Sequence, residues 1–199
     1  NQRFLTSVPA ENTAGVYIGI PFCPTRCLYC SFASNQASGE AMERYLQALL
    51  TEIEAVGAKF RSLGIVPESL YVGGGTPTSL SVFALERLLS CAVESFDLSE
   101  VREFCVEAGR PDTITGEKLS VMRHYGVDRV SVNPQSMNDV TLKAIGRSHT
   151  VEEICRAFEM VRQSGIPHVN ADIIAGLPGE DYAMFLHTLK SVIALEPDN

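Results

Sequence analysis

Along the chain, short apolar runs rich in β-branched and aromatic residues alternate with longer stretches in which apolar positions recur every three or four residues. The runs fall at Val16–Ile20, Leu70–Val72, Phe104–Val106, Val130–Val132 and Val169–Ile174. They read as apolar on both parities, which predicts strands buried on both faces, as in a parallel sheet covered by helices. Between the first two runs, Met42, Tyr45, Leu46, Leu49, Ile53, Val56, Phe60 and Leu63 form one stripe that stops at Gly64, predicting the clearest helix of the chain. Further helices are predicted at Ser81–Phe96, Gly116–Tyr125, Asn138–Ile145, Val151–Ser164 and Tyr182–Leu195, and Thr150-Val-Glu-Glu153 has the form of a capping box before the Val151 helix. Five strand-helix units with right-handed crossovers give one α/β domain, either a doubly wound sheet or a barrel, and periodicity does not choose between them.

The chemistry-bearing residues follow the strands. Pro21-Phe-Cys-Pro-Thr-Arg-Cys-Leu-Tyr-Cys30 comes after the first, Gly73-Gly-Gly-Thr-Pro-Thr78 after the second and Glu107-Ala-Gly-Arg-Pro-Asp112 after the third. Asn133-Pro-Gln-Ser136 follows the fourth, and Asp172 with Gly176-Leu-Pro-Gly179 closes the fifth. In parallel α/β folds the C-terminal edge is the binding face, so these loops are expected to converge on one site.

Composition narrows the chemistry. With 16 Lys+Arg against 24 Asp+Glu, a net charge of −8 leaves no broad basic field for a phosphate backbone, which argues against nucleic acid as a partner. No stretch approaches the ~20 apolar residues of a membrane helix and residues 1–15 lack a signal-peptide pattern, so a cytoplasmic protein without a membrane span is expected. Three of the six cysteines, Cys23, Cys27 and Cys30, are packed into one short loop, whereas Cys91, Cys105 and Cys155 are scattered and are expected to pack as small hydrophobes. Three clustered thiols cannot all pair as disulfides, and structural zinc would need a fourth ligand while His124, His149, His168 and His187 are all distant in sequence. Three thiolates on a cubane iron-sulfur cluster would instead leave one iron open to a further ligand. His149, between Ser148 and Thr150, reads as a capping or loop residue.

The run Cys23-Pro-Thr-Arg-Cys27-Leu-Tyr-Cys30 resembles the CxxxCxxC signature of radical S-adenosylmethionine (SAM) enzymes, including an aromatic residue before the last cysteine. Val16-Tyr-Ile-Gly-Ile-Pro-Phe-Cys23, Gly73-Gly-Gly-Thr-Pro-Thr78, Arg129-Val-Ser-Val-Asn-Pro-Gln-Ser136, Gly146-Arg-Ser-His-Thr150 and Asp172-Ile-Ile-Ala-Gly-Leu-Pro-Gly179 narrow the resemblance to the oxygen-independent coproporphyrinogen III oxidase family. Gly19 and Phe32 depart from the founding enzyme's pattern, which has His and Cys there, and point to the branch of coproporphyrinogen dehydrogenases. The resemblance implies an incomplete (β/α)6 TIM-like barrel of the radical SAM type, with five strand-helix units present. The start at Asn1 and the stop at Leu195-Glu-Pro-Asp-Asn199 suggest that residues 1–199 are a radical SAM core cut from a longer chain, with a sixth strand expected just past Asn199.

The same resemblance implies the site. Cys23, Cys27 and Cys30 would ligate a 4Fe-4S cluster. SAM would be contacted by Tyr17, Tyr29, Gly74, Gly75, Thr76, Glu107, Gln135, Arg147 and Asp172, with Glu107 facing its ammonium and Arg147 its carboxylate. Glu107 and Arg147 could alternatively form a structural ion pair at the rim. The implied activity is oxidative decarboxylation of coproporphyrinogen III, a porphyrinogen substrate, to protoporphyrinogen IX through a 5′-deoxyadenosyl radical, with flavodoxin or ferredoxin as electron donor. The alternatives are a haem-binding or haem-transfer protein that keeps the same domain, and a radical SAM enzyme acting on another substrate.

Overall fold

In the computed structural model, which describes residues 12–199, five strands alternate with six α-helices. They are β1 (Thr13–Ile20), α1 (Gly39–Leu63), β2 (Val66–Gly74), α2 (Val82–Ser95), β3 (Glu103–Glu107), α3 (Gly116–His124), β4 (Arg129–Gln135), α4 (Asp139–Ala144), α5 (Val151–Ser164), β5 (His168–Ile173) and α6 (Tyr182–Ala194). The segment read above as lacking a signal peptide lies, as far as residue 11, outside the described residues. Ser38, Ser81, Thr115, Thr150 and Asp181 each cap a helix by accepting from a backbone N–H of its first turn, and the capping box at Thr150 and Glu153 is complete.

All neighbouring strands are parallel, and their order is β1-β2-β3-β4-β5, the order of the sequence. This excludes the doubly wound arrangement, whose order reverses at a switch point. Right-handed crossovers that always step in one direction put every helix on the same side of the sheet, which is barrel winding. The helices accordingly pack in succession, α1 on α2, α2 on α3 and α3 on α5. At the first of these contacts a Cβ on Gly57 of α1 would collide with the Ser95 carbonyl of α2, so glycine is needed there despite its cost of about 1 kcal/mol in a helix interior. Asp198 N–H donates to the Val169 carbonyl at 2.8 Å and Ala171 N–H to the Asn199 carbonyl at 2.9 Å, so the last residues already follow the outer edge of β5.

The two faces of the sheet differ, which corrects the expectation that both are apolar and covered. Ile18, Ile20, Leu70, Val72, Phe104, Val106, Val130, Val132 and Val169 share the helix-side parity and are buried in the main core. The other parity carries Tyr17, Tyr71, Cys105, Glu107, Ser131, Asn133, Asn170 and Asp172. Tyr17 pairs in register with Tyr71, and Tyr71 with Cys105, so this second set forms rows across a polar concave face. On it Tyr17 and Tyr71 stack at 5.7 Å, and Arg129 pairs with Glu103 at 2.9 Å.

Candidate functional site

The cysteine loop joins β1 to α1. Asn35 closes it, donating to the Pro21 carbonyl at 2.8 Å and accepting from the Cys23 N–H at 3.2 Å. Gly75 N–H donates to the Ile20 carbonyl and Thr76 N–H to the Phe22 carbonyl, both at 2.7 Å, which draws the glycine loop after β2 against the start of the cysteine loop. A Cβ on Gly75 would stand 2.6 Å from the Phe22 oxygen and 3.0 Å from Cys23 Sγ, so only glycine permits this approach. Thr76 Oγ1 lies 3.3 Å from Cys23 Sγ.

These loops and the ends of β3, β4 and β5 enclose a cavity of about 330 Å³. Eleven of the twelve predicted site residues line it: Cys23, Cys27, Cys30, Tyr29, Gly74, Gly75, Thr76, Glu107, Gln135, Arg147 and Asp172. Tyr17 does not, because its ring lies flat on Tyr71 along the concave face and stays 63% exposed. Phe32, Gly109, Arg110, Asn133, Ile173 and Ile174 complete the lining without having been singled out as site residues. Arg110 falls in the segment after β3 and Asn133 near the C-terminal end of β4, within the stretches Glu107–Asp112 and Asn133–Ser136 whose position at the strand ends is the available signal.

Gln135 has φ 66°, a left-handed backbone rarely taken by a residue with a side chain, at the point where the β4–β5 register slips. Its carbonyl accepts from Ile174 N–H at 3.0 Å, which fixes the bulge and leaves the side chain on the cavity wall. Strain of this kind at a site is held in place by surrounding contacts.

Glu107 accepts from Gly74 N–H at 3.2 Å and from the Tyr71 hydroxyl and Asn133 amide. Burial raises its pKa above the ordinary carboxylate range; these hydrogen bonds oppose the rise and the nearby Asp172 carboxylate adds to it. Burial also raises the Tyr71 pKa, with the Glu107 charge acting in the same direction, so the phenol stays a donor. A Cβ on Gly73 would stand 2.8 Å from Glu107 Oε2 and against the Tyr71 ring, so the first glycine of the triplet clears the path between them.

Arg147 is buried and does not pair with Glu107, which removes the structural ion-pair alternative. Its Nη1 donates to the carbonyls of Gly109 and Asn133, each at 2.9 Å, and Nη2 to the Tyr29 hydroxyl at 3.0 Å. Its Nε and the Oδ1 of Asn133 are buried without partners. A ligand carrying a carboxylate and an ammonium would complement such a pair of atoms together with the Glu107 carboxylate.

No three His, Cys, Asp or Glu side chains among the described residues converge on a single point. A cubane presents each iron at its own corner, so its thiolates need not meet at a point. Cys23, Cys27 and Cys30 are free and partly accessible, and burial raises the Cys23 thiol pKa. Among the other cysteines, Cys105 is buried with its pKa pushed up to about 12, chiefly by burial, and Cys91 is half-buried against the Leu50 carbonyl. Cys155 is exposed on α5, correcting the expectation that it packs as a small hydrophobe. His149 lies in the loop before α5, as expected, and is buried there beside Asp112, its Nδ1 3.7 Å from Asp112 Oδ1.

Residues 17–192 match the family model described as the Radical SAM superfamily. The chain is 43% identical to the oxygen-independent coproporphyrinogen-III oxidase-like protein HemZ of Bacillus subtilis (strain 168), over 99% of this chain and 41% of that protein. It is 33% identical to the heme chaperone HemW of the same strain, over 92% of this chain and 48% of that one. The structure of coproporphyrinogen III oxidase (HemN) from Escherichia coli, described as a radical SAM enzyme, matches with a TM-score of 0.84 at 30% identity, covering 100% of this chain and 46% of that one. The chain therefore spans less than half the length of these relatives. No described helix is long and apolar enough to cross a membrane. A sequentially wound half-barrel with three loop cysteines facing a glycine triplet is what this match covers, and the chain belongs to the radical SAM superfamily, whose members use a 4Fe-4S cluster and SAM, among the relatives of coproporphyrinogen III oxidase.

Proposed function

We propose that this domain cleaves SAM reductively and directs the resulting radical to the oxidative decarboxylation of coproporphyrinogen III, giving protoporphyrinogen IX. The observation that carries the reading is the cavity itself, lined together by three cysteines, Tyr29, Glu107, Asn133 and Arg147, whose Nε is unpaired. Cys23, Cys27 and Cys30 would hold the cluster. Glu107 and Asn133 would accept the SAM ammonium, Arg147 its carboxylate, and Gly74, Gly75 and Thr76 would line the methionine. Tyr29, held by Arg147, would lie against the adenine, and Gln135 and Asp172 would receive the ribose hydroxyls. Tyr17 would take part from the concave face, through its stack on Tyr71. When bound, the cluster supplies one electron, received from a donor such as flavodoxin or ferredoxin, for cleavage of SAM to methionine and a 5′-deoxyadenosyl radical. Two of the four propionates would each give a hydrogen atom to the 5′-deoxyadenosyl radical, release carbon dioxide and pass one further electron to an external one-electron acceptor, becoming vinyl groups. The residues of the chain bind and orient SAM and keep water from the reacting atoms. The polar concave face beside the cavity offers room for a large substrate, and the likeness to HemZ and HemN supports the porphyrinogen assignment.

A second reading, haem binding without turnover, is favoured by Phe32, which stands where the founding enzyme's pattern has a further cysteine, lines the cavity and is 72% exposed. It is supported also by the likeness to HemW. The test is anaerobic purification of the full chain, cluster reconstitution, and incubation with SAM, reductant and coproporphyrinogen III. Carbon dioxide and protoporphyrinogen are expected; stoichiometric haem binding with neither product would select the carrier.

A further inference from the structure

A second buried guanidinium, Arg110, joins the loops of the site and has no part in the chemistry above. It is 2% exposed and follows β3. Its Nε and Nη2 grip the two oxygens of Asp112 at 3.1 and 3.2 Å, and Nη2 also donates to Ser148 Oγ at 2.9 Å. Nη1 donates to Thr25 Oγ1 at 2.5 Å and to the Thr25 carbonyl at 3.4 Å. Thr25 lies midway between Cys23 and Cys27. Arg110 thus connects the cysteine loop, the loop after β3 and the segment between α4 and α5.

Further contacts tie the same cysteine loop to that last segment. Leu28 N–H donates to the Ile145 carbonyl at 3.0 Å, and Arg147 reaches the Tyr29 hydroxyl. Gly146, at φ 80°, approaches so closely that a Cβ would stand 3.2 Å from the Arg26 oxygen and 3.3 Å from Leu28 Cγ. The residues carrying the cysteines belong to no helix or strand, so ordering them costs conformational entropy that only such contacts offset. A planar fork whose charge is balanced by Asp112 is suited to that task, because all its donors act from one rigid group.

We propose that Arg110 is a positioning residue that, through Thr25, holds the Cys23–Cys30 loop in its cluster-accepting shape before a cluster arrives. This rests on the reading that these three cysteines carry the cluster. Replacing Asp112 would leave a buried charge unpaired and perturb the fold, so the clean variant is Thr25→Val, which keeps the side-chain shape and removes the hydroxyl acceptor. Arg110→Lys and Arg110→Met complete the set.

In the full chain without cluster, amide hydrogen exchange at residues 23–30 is expected to rise about tenfold in Thr25→Val, the scale of a lost hydrogen bond to a charged group, while β2, β3 and β4 exchange as in the wild type. After reconstitution, a chelator should strip the cluster about tenfold faster from this variant, by the same hydrogen-bond scale. Arg110→Lys should recover part of the protection that Arg110→Met loses. Exchange at residues 23–30 within about twofold of wild type overturns the proposal, on the scale of a bond contributing under ~0.5 kcal/mol. So does protection lost evenly across the sheet, or a loosened loop with unchanged cluster retention. If the wild-type chain binds no cluster although its loop is protected, the cysteine assignment fails, and the exchange data identify that failure separately.

Discussion

The two faces of one sheet divide the work of this molecule. Residues of the helix-side parity, such as Leu70, Val106 and Val130, are fully buried and exchange water for packed side chains. Each contributes on the order of 1.5–3 kcal/mol. Their immediate neighbours in sequence, Tyr71, Glu107 and Ser131, point the other way and carry hydroxyls and a carboxylate whose burial costs stability unless hydrogen-bonded. The same backbone therefore supports a face selected for hydrophobic density and a face whose groups are held ready for a ligand. Glu107 illustrates the cost: its pKa is raised because burial disfavours the very charge that a cationic ligand would need.

The sharpest way to separate the faces is Cys27→Ala, expected to abolish the broad visible absorption of the reconstituted protein while leaving the thermal midpoint of the cluster-free chain near that of the wild type. Retained colour would sink the ligand assignment. The converse change, Leu70→Ala, removes a fully buried side chain from the outer core and should cost about 2–5 kcal/mol in chemical denaturation. Absorbance per folded molecule should not change.

Next in size is Glu107→Gln, expected to weaken SAM binding by about 10- to 150-fold, the scale of a hydrogen bond to a charged group of ~1.5–3 kcal/mol. Its pH dependence carries a definite sign. In the wild type, acidification protonates Glu107 above the usual carboxylate range and lowers SAM affinity, and the Gln variant should lose that dependence. Without ligand the sign reverses: a raised carboxylate pKa contributes stability below its unfolded value, and that contribution is lost as pH rises through the folded one. Titrations of affinity and of denaturation midpoint that move in the same direction would refute this account of Glu107. The smallest effect belongs to Tyr71→Phe. Losing the phenol donor removes a bond that lowers the Glu107 pKa, so the acid-side loss of SAM affinity should move to higher pH, with a change of several-fold, ~0.5–1.5 kcal/mol, near neutrality.

The outer face was the more legible in the chain. The stripe ending at Gly64, the capping box at Thr150 and the apolar runs located every strand and helix, because burial and capping act locally. The concave face was masked by residue types that serve both roles: Tyr17, Tyr71 and Cys105 read as apolar, so strands such as β2 and β3 looked covered on both sides. The motif residues of the site, Arg147 apart, were readable because they cluster at or just beyond the C-terminal ends of the strands. Tyr17 stands outside the cavity since a stack on Tyr71 depends on register between two strands, and Arg110 was passed over because its partners, Thr25, Asp112 and Ser148, come from three separate loops.

The sequential strand order has a consequence for how such a protein can change over generations. Each added strand and helix extends the outer layer by one element and the rim by one loop, with no earlier element displaced. Substitutions at inward positions or rim loops can therefore accumulate without disturbing the inherited hydrophobic layer. A lineage built this way can exchange one substrate for another, or trade catalysis for carriage, by rewriting a few side chains on a scaffold that otherwise stays the same.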